Sequence, residues 1–328
     1  MNYRILGKTK FSISEISLGT WQVGGKWGEP FDHNRASKIL HQAADAGINF
    51  IDTADVYGDG ESEKAVGDFV RSRSERIYVA TKCGRKLNPH VNQSYQPEVL
   101  RKFVEDSLRN MKLESLDLIQ LHCPPPEVYS RDEIFELFDD LEDEGKILNL
   151  GVSVETIEEA LRAIQIPSVT TVQIIFNMFR QRPAEVFFKE AKKKNIGVIV
   201  RVPLASGLLT GNYSSNTTFA SGDHRNFNRN GEAFDKGETF SGVDYETGLV
   251  AVEELKKIFP SQKNLAALAL RWILMFDEVS CVIPGASKME QVASNLEALS
   301  EPAFTAEQMD AVKSVYDKHI KKLVHDKW

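Results

Sequence analysis

Two spacings of apolar residues alternate along the chain. From about residue 47 onward, short runs rich in β-branched side chains are followed by longer stretches in which apolar positions recur at helical intervals. Such alternation predicts parallel strands joined by helical crossovers, since a parallel pair needs a long connection. The strands are expected at Ile16–Leu18, Asn49–Asp52, Ile77–Thr81, Leu116–Leu121, Leu148–Ser153, Val169–Ile174, Gly197–Val202 and Cys281–Ile283. Helices are expected over 34–46, 62–71, 97–111, 131–144, 155–163, 184–194 and 264–276, with another near 290–299. Eight strand-like runs suit a closed α/β barrel of the (β/α)8, or TIM, type. Ahead of them, Tyr3–Leu6 and Phe11–Ile13 flank Gly7 and Lys8, which predicts a hairpin closing the barrel floor. The sequence has no internal repeat and no proline- or serine-rich linker, so residues 1–328 are read as one domain.

The segment Ser206–Asp244, rich in Gly, Asn, Ser and Phe, breaks the pattern after the seventh strand. Loops of this length in a compact domain are usually functional or mobile. Two explanations stand: a lid over a site, or a tolerated surface insertion.

Charge narrows the partners. With 40 Lys plus Arg against 47 Asp plus Glu, the net charge of -7 offers no general attraction to nucleic acid or anionic lipid. The first residues lack the apolar core of a secretory signal, and the longest apolar stretch, Leu265–Phe276, contains Arg271 and is too short to span a bilayer. Three cysteines without CxxC spacing, Cys83, Cys123 and Cys281, argue against a disulfide framework and against a zinc site. These features fit a cytoplasmic protein without a metal, monomeric or a small homo-oligomer.

Active sites of such barrels form at the C-terminal strand ends. The second strand ends at Asp52, the third leads into Lys82, the fourth ends at His122, and Tyr57 follows on the loop after Asp52. Barrel closure would bring a carboxylate, an ammonium, a phenol and an imidazole together. A phenol is a slow acid or base at neutral pH because its ordinary pKa is near ~10. Lys82 is expected to lower the Tyr57 pKa, Asp52 to hold Lys82 charged, and His122 to orient a substrate oxygen. Singly, each residue has an ordinary structural explanation: a capping carboxylate, a surface ion pair, a packed aromatic, a core histidine. No side chain donates hydride, so redox chemistry at this set implies a nicotinamide.

The sequence resembles the aldo-keto reductase family almost end to end, through GINFIDTADVYGDGESEKAVG, VATKCG, DLIQLHCPP, GVSVE, PLASGLLTG and IPGASKMEQVASN. The resemblance implies a (β/α)8 barrel binding NADP(H) in extended form at the strand C-termini, without a Rossmann fingerprint; the chain has no GxGxxG. It implies Asp52, Tyr57, Lys82 and His122 as the catalytic set. Ser153 and Gln173 match positions bonding the nicotinamide carboxamide, with Val154 where many relatives have asparagine. Leu204–Ser206 match the backbone meeting the pyrophosphate, and Asn212 stands where relatives often carry lysine, a role Arg225 is placed to take over. Ser287 and Lys288 match the site of the 2'-phosphate, and Gln291 and Asn295 the positions facing that phosphate and the adenine. Apart from the family, a hydroxyl and a cation in the segment Gly285–Asn295, at a helix start, suit a phosphate, while Ser287 as a plain N-cap explains the same residues. A modest preference for NADPH over NADH follows, since Lys288 is a point charge and Gln291 replaces an arginine.

Arg201 stands where several relatives place an aromatic residue on the nicotinamide ring. One expectation is that its charge disfavours the oxidised, cationic ring and biases the protein toward carbonyl reduction. The other is that Arg201 pairs with an acidic residue or points to solvent. Trp21, Trp27 and Phe31, after the first barrel strand, are candidates for an aromatic substrate wall or for loop packing. Trp328 either reaches the pocket rim or seals the barrel exterior.

The expected activity is therefore NADPH-dependent reduction of small aldehydes, ketones or sugars, reversible to alcohol oxidation, with Tyr57 as acid or base. The alternative is an NADP(H)-binding sensor that regulates a partner and turns over little.

Overall fold

The structure, a computed structural model, describes residues 1–25 and 30–328. The chain opens with an antiparallel hairpin, β1 (Tyr3–Ile5) and β2 (Ser12–Ser14), joined through a turn at Gly7–Thr9. Eight parallel strands follow in chain order around one sheet: β3 (Leu18–Gly19), β4 (Phe50–Asp52), β5 (Tyr78–Cys83), β6 (Leu118–His122), β7 (Leu150–Ser153), β8 (Val169–Ile175), β9 (Gly197–Arg201) and β10 (Val279–Val282). Parallel bridges Ile16 to Val282 and Gly19 to Gly285 bring the first and last strands round to each other.

The crossovers carry α1 (His33–Asp45), α2 (Glu61–Arg71), α3 (Pro97–Met111), α4 (Asp132–Asp143), α5 (Ile157–Ala163) and α6 (Phe187–Lys193). Between β9 and β10 lie the short α7 (His224–Phe227), α8 (Tyr245–Ile258) and α9 (Leu265–Leu274). After β10 come α10 (Met289–Leu296), α11 (Ala306–Val315) and α12 (Lys321–Val324). Among the described residues no helix is long and apolar enough to cross a membrane.

The predicted hairpin forms and seals the floor. Leu6 and Ile13 pack with Phe50, Ala80, Leu118, Ile199 and Cys281, all buried on the barrel's inner side. Arg4 fixes the hairpin to the wall by donating to the carbonyls of Val279 (2.8 Å) and Leu274 (2.8 Å). Gly7 has φ +51, and a Cβ there would lie 2.1 Å from the Gly197 nitrogen, so backbone meets backbone at this corner.

Side chains alternate along each strand, so the residue two beyond a floor residue points the same way. Phe50 is followed by Asp52, Ala80 by Lys82, Leu118 by Gln120 and then His122, and Ile199 by Arg201. The barrel interior thus changes from apolar floor to polar mouth within one pleat.

Two differences from the predicted elements have local causes. The helix expected from 155 starts at Ile157, because Thr156 caps it: its hydroxyl accepts from the Glu159 amide (3.1 Å) while the Glu159 carboxylate accepts from the Thr156 amide (3.0 Å). Glu155 is thereby left outside the helix. α8 was not predicted, although Asp244 caps it (3.0 Å to the Thr247 amide) and Gly248, Ala251, Val252 and Leu255 are buried at helical spacing.

Candidate active site

Asp52, at the end of β4, forms a buried ion pair with Lys82 of β5. The Lys82 ammonium also donates to the Thr53 carbonyl (2.7 Å) and to the Tyr57 hydroxyl (3.4 Å), and lies 5.0 Å from the Tyr57 ring centre. The His122 ring stands edge-on to Tyr57 at 6.2 Å between centres. All four residues expected from the sequence are therefore neighbours at the C-terminal mouth.

The second Asp52 oxygen accepts from Gln173 (2.8 Å) and from Gln120 (3.0 Å). Gln120 was missed in the sequence reading. A signal existed: it is the polar member of the inward-facing series Leu118, Gln120, His122. Gly151, beside it on β7, makes room, since a Cβ there would lie 2.1 Å from the Thr171 hydroxyl and 3.2 Å from Gln120.

The proton affinities of this set follow from burial and charge. Burial alone would lower Lys82, but Asp52 and Tyr57 outweigh it and the ammonium is held above its ordinary value. For Tyr57 the expected pull of Lys82 is present but outweighed. Burial raises the phenol, Lys82 pulls it down as foreseen, Asp52 and Glu238 push it up, and the net direction is upward. Tyr57 is therefore a protonated phenol at neutral pH. Burial, then Lys82, Arg85 and Arg201, hold His122 well below the usual imidazole range. It is neutral, and its buried Nδ1 has no hydrogen-bond partner among the described residues.

A cleft of about 1130 Å³, including space open to solvent, runs from these residues across the mouth. Its enclosed cavity volume is about 230 Å³, just under the ~300–1,000 Å³ of ordinary ligand pockets, and the rest of the cleft is open to solvent. Its walls include Trp21, Gln173, Arg201, Leu204, Ser206, Gly285 and Gln291, as expected, and also Arg225, His224 and Glu238 from the long loop. Along one wall Val202, Ala205, Ser206 and Gly207 all have positive φ. Such strain at non-glycine residues clusters at ligand clamps, so this wall fits an extended cofactor.

Other expected contacts lie elsewhere. Ser153 is fully buried, Asn295 is buried within α10, and neither borders the cleft; nor do Ser287 and Lys288. The Gln291 side-chain oxygen accepts from the Ser287 amide (2.7 Å), the Ser287 hydroxyl (3.1 Å) and the Lys288 amide (3.1 Å), so the hydroxyl foreseen for a phosphate is already engaged. Lys288 itself is exposed. Phe31 packs against Gly24 and Gly58 and edge-on to His33 at 4.9 Å, away from the cleft. Trp27 lies outside the described residues. Trp21 does form a wall, stacked on Tyr57 at 6.4 Å.

Arg201 is paired. It donates to Glu155 (2.9 Å) and to the Val154 carbonyl (3.0 Å), and lies 3.6 Å from Glu238. Arg85 approaches the same two carboxylates at 3.4 and 3.6 Å. The expected free charge on the cofactor ring is thus matched by acids. Burial pushes Glu155 up, but the two guanidinium groups prevail and hold it low; burial and then Glu155 push Glu238 up. The Cys123 thiol lies within 4.8 Å of both carboxylates, yet their negative charge is already balanced by arginines, which disfavours a cation there.

Arg225, foreseen as a pyrophosphate contact, borders the cleft but is held by Asp223 and stacked 4.7 Å over Phe219. Trp328 anchors the long loop: its ring nitrogen donates to Asp235 (2.8 Å), and Arg180 lies 4.0 Å over the ring.

Against this geometry, residues 15–317 match the model of the Aldo/keto reductase family. The chain is 32% identical to Aldo-keto reductase YhdN of Bacillus subtilis over 92% of its length and 88% of that protein. It is 26% identical to the NADH-specific methylglyoxal reductase of Escherichia coli, over 90% of its length and 92% of that protein. Among solved structures, the glycerol dehydrogenase AKR11B4 from Gluconobacter oxydans superposes with a TM-score of 0.79 and 32% identity, covering 97% of this chain and 96% of that one.

Proposed function

The chain belongs to the Aldo/keto reductase family, oxidoreductases that work with a nicotinamide cofactor, and from that premise we propose that it reduces small aldehydes, ketones or sugars with NADPH. The observation that carries this reading is the buried Asp52 to Lys82 ion pair with the Tyr57 hydroxyl at 3.4 Å from the ammonium.

The cofactor would lie along Leu204, Ser206, Gly285 and Gln291, with its ring end toward Gln173 and Tyr57. Bound there, it supplies the hydride. Tyr57 gives its proton to the carbonyl oxygen as negative charge develops on it. Lys82, kept charged by Asp52, stabilises the phenolate left behind, which regains its proton from water in the cleft. Neutral His122 orients the carbonyl oxygen from the other side of Tyr57. Because the phenol is protonated at neutral pH, the resting site is set for reduction, and alcohol oxidation gains as pH rises.

The names of relatives, glycerol dehydrogenase and methylglyoxal reductase, support a small oxygenated substrate. Lys288, an exposed cation at the start of α10, lies outside the cleft wall three residues before Gln291, so it would favour NADPH over NADH for a cofactor that extends past Gln291. A single cytoplasmic barrel domain fits three unpaired cysteines.

The test follows NADPH absorbance with a panel of aldehydes, ketones and aldoses, with Tyr57→Phe alongside. Loss of at least ~100-fold in kcat with NADPH affinity retained is expected. Tight NADPH binding with no carbonyl consumed would instead support a sensing role, and no NADPH binding would overturn the assignment.

A further inference from the structure

The long loop places an imidazole in the cleft that the chemistry above does not use. His224, in α7, is 4% exposed. It packs on Trp21 at 4.7 Å between ring centres, and Trp21 in turn stacks on Tyr57 at 6.4 Å. Only one indole therefore separates it from the phenol. Its Nδ1 faces Asp223 at 3.5 Å, while its Nε2 is buried with no hydrogen-bond partner among the described residues. A buried polar atom left unsatisfied is destabilising, and a ligand that supplies the partner removes that cost.

The neighbours exclude several ligands. Phe234 covers another side of the ring at 6.3 Å, and burial brings the His224 pKa down to about 4, so the group is neutral and offers no charge to an anion. The adjacent Arg225, already held by Asp223, is the cation on this segment. A neutral imidazole nitrogen at an apolar wall suits a hydroxyl, which both donates and accepts.

Resting on the reductase reading, we propose that His224 is a specificity-determining residue whose Nε2 bonds a hydroxyl of the substrate several atoms from the reacting carbonyl. The substrate class is thereby narrowed from carbonyl compounds in general to hydroxylated aldehydes and ketones. Apolar carbonyl compounds of equal length leave Nε2 unsatisfied, and discrimination against a substrate that lacks a bonding hydroxyl is of the kind that unpaired buried groups enforce.

The test compares D-erythrose with butanal, four-carbon aldehydes with and without hydroxyls, in the parent protein, His224→Phe and His224→Gln. Phenylalanine keeps the packing on Trp21 and Phe234 but has no nitrogen. The ratio of kcat/KM for erythrose over butanal is expected to fall roughly five- to thirty-fold in His224→Phe, the worth of one hydrogen bond, and to recover in part in His224→Gln. NADPH affinity, read by fluorescence titration without substrate, should match the parent. An unchanged ratio overturns the proposal. So does a weakened NADPH affinity with both aldehydes slowed alike, which would assign the hydroxyl to the cofactor ribose. If the parent reduces neither aldehyde nor any other carbonyl, the reductase reading itself fails and takes this one with it.

Discussion

Asp55, two residues before the phenol, is a buried acid whose two carboxylate oxygens have no hydrogen-bond partner among the described residues. Burial first, and Glu63 second, push its pKa up to about 7 from the ordinary 3.8. A carboxyl raised on folding binds more protons folded than unfolded, so stability present below pH 3.8 is lost as pH rises and the loss is complete above about 7. Asp55→Asn is accordingly expected to be more stable than the parent at pH 8, by no more than about 4 kcal/mol, and nearly equal at pH 4. Urea melts at the two pH values measure it; an equal difference at both would show packing rather than titration. At this scale the reactive residues were legible, because Asp52, Lys82 and His122 end strands whose order the chain itself dictates. Net proton affinity was not. Lys82 does pull on Tyr57 as expected, but burial competes with that pull, and burial is a property of the closed barrel. Which of the two expectations for Arg201 holds was not legible for a related reason, since the Glu155 that pairs with it is fixed only once Thr156 caps α5.

The elements differ in how much tertiary structure they need. Eight of the helices could be read from their apolar period, to within a residue or two at most ends, whereas α8 and α11 were missed although both bury residues at helical spacing. The segment from Ser206 to Asp244 could not, because its turns and α7 have no period and take their places from distant contacts. Trp328 supplies one of them. It accepts Arg180 on its face, donates to Asp235, and packs so closely on Gly242 that a Cβ there would lie 2.5 Å from the ring. Glu238, three residues past Asp235, then meets Arg85 and Arg201. Trp328→Ala is expected to free this part of the loop: proteolytic cleavage within 206–244 should quicken at least several-fold, and NADPH should bind more weakly, at a local cost of about 3 kcal/mol. Unaltered cleavage and affinity would mean that the arginine and glutamate contacts suffice.

The whole molecule separates its labours by end. One end is sealed by the hairpin and an apolar layer; the other carries the polar mouth, the cleft and the loop. This polarity was legible because parallel strands in chain order put every strand's C-terminus at one rim. What crosses the mouth was not. The closed barrel also hides its three thiols: Cys83 and Cys281 are fully buried and Cys123 is 6% exposed, and burial pushes all three well above the ordinary thiol range. A disulfide reagent attacks thiolates it can reach, so each cysteine records an opening event in its own neighbourhood. Timed labelling followed by mass analysis should modify Cys123 first, when the mouth loosens, and Cys281 last, when the floor parts. Early labelling of Cys281 in the native protein would mean the barrel breathes from its sealed end.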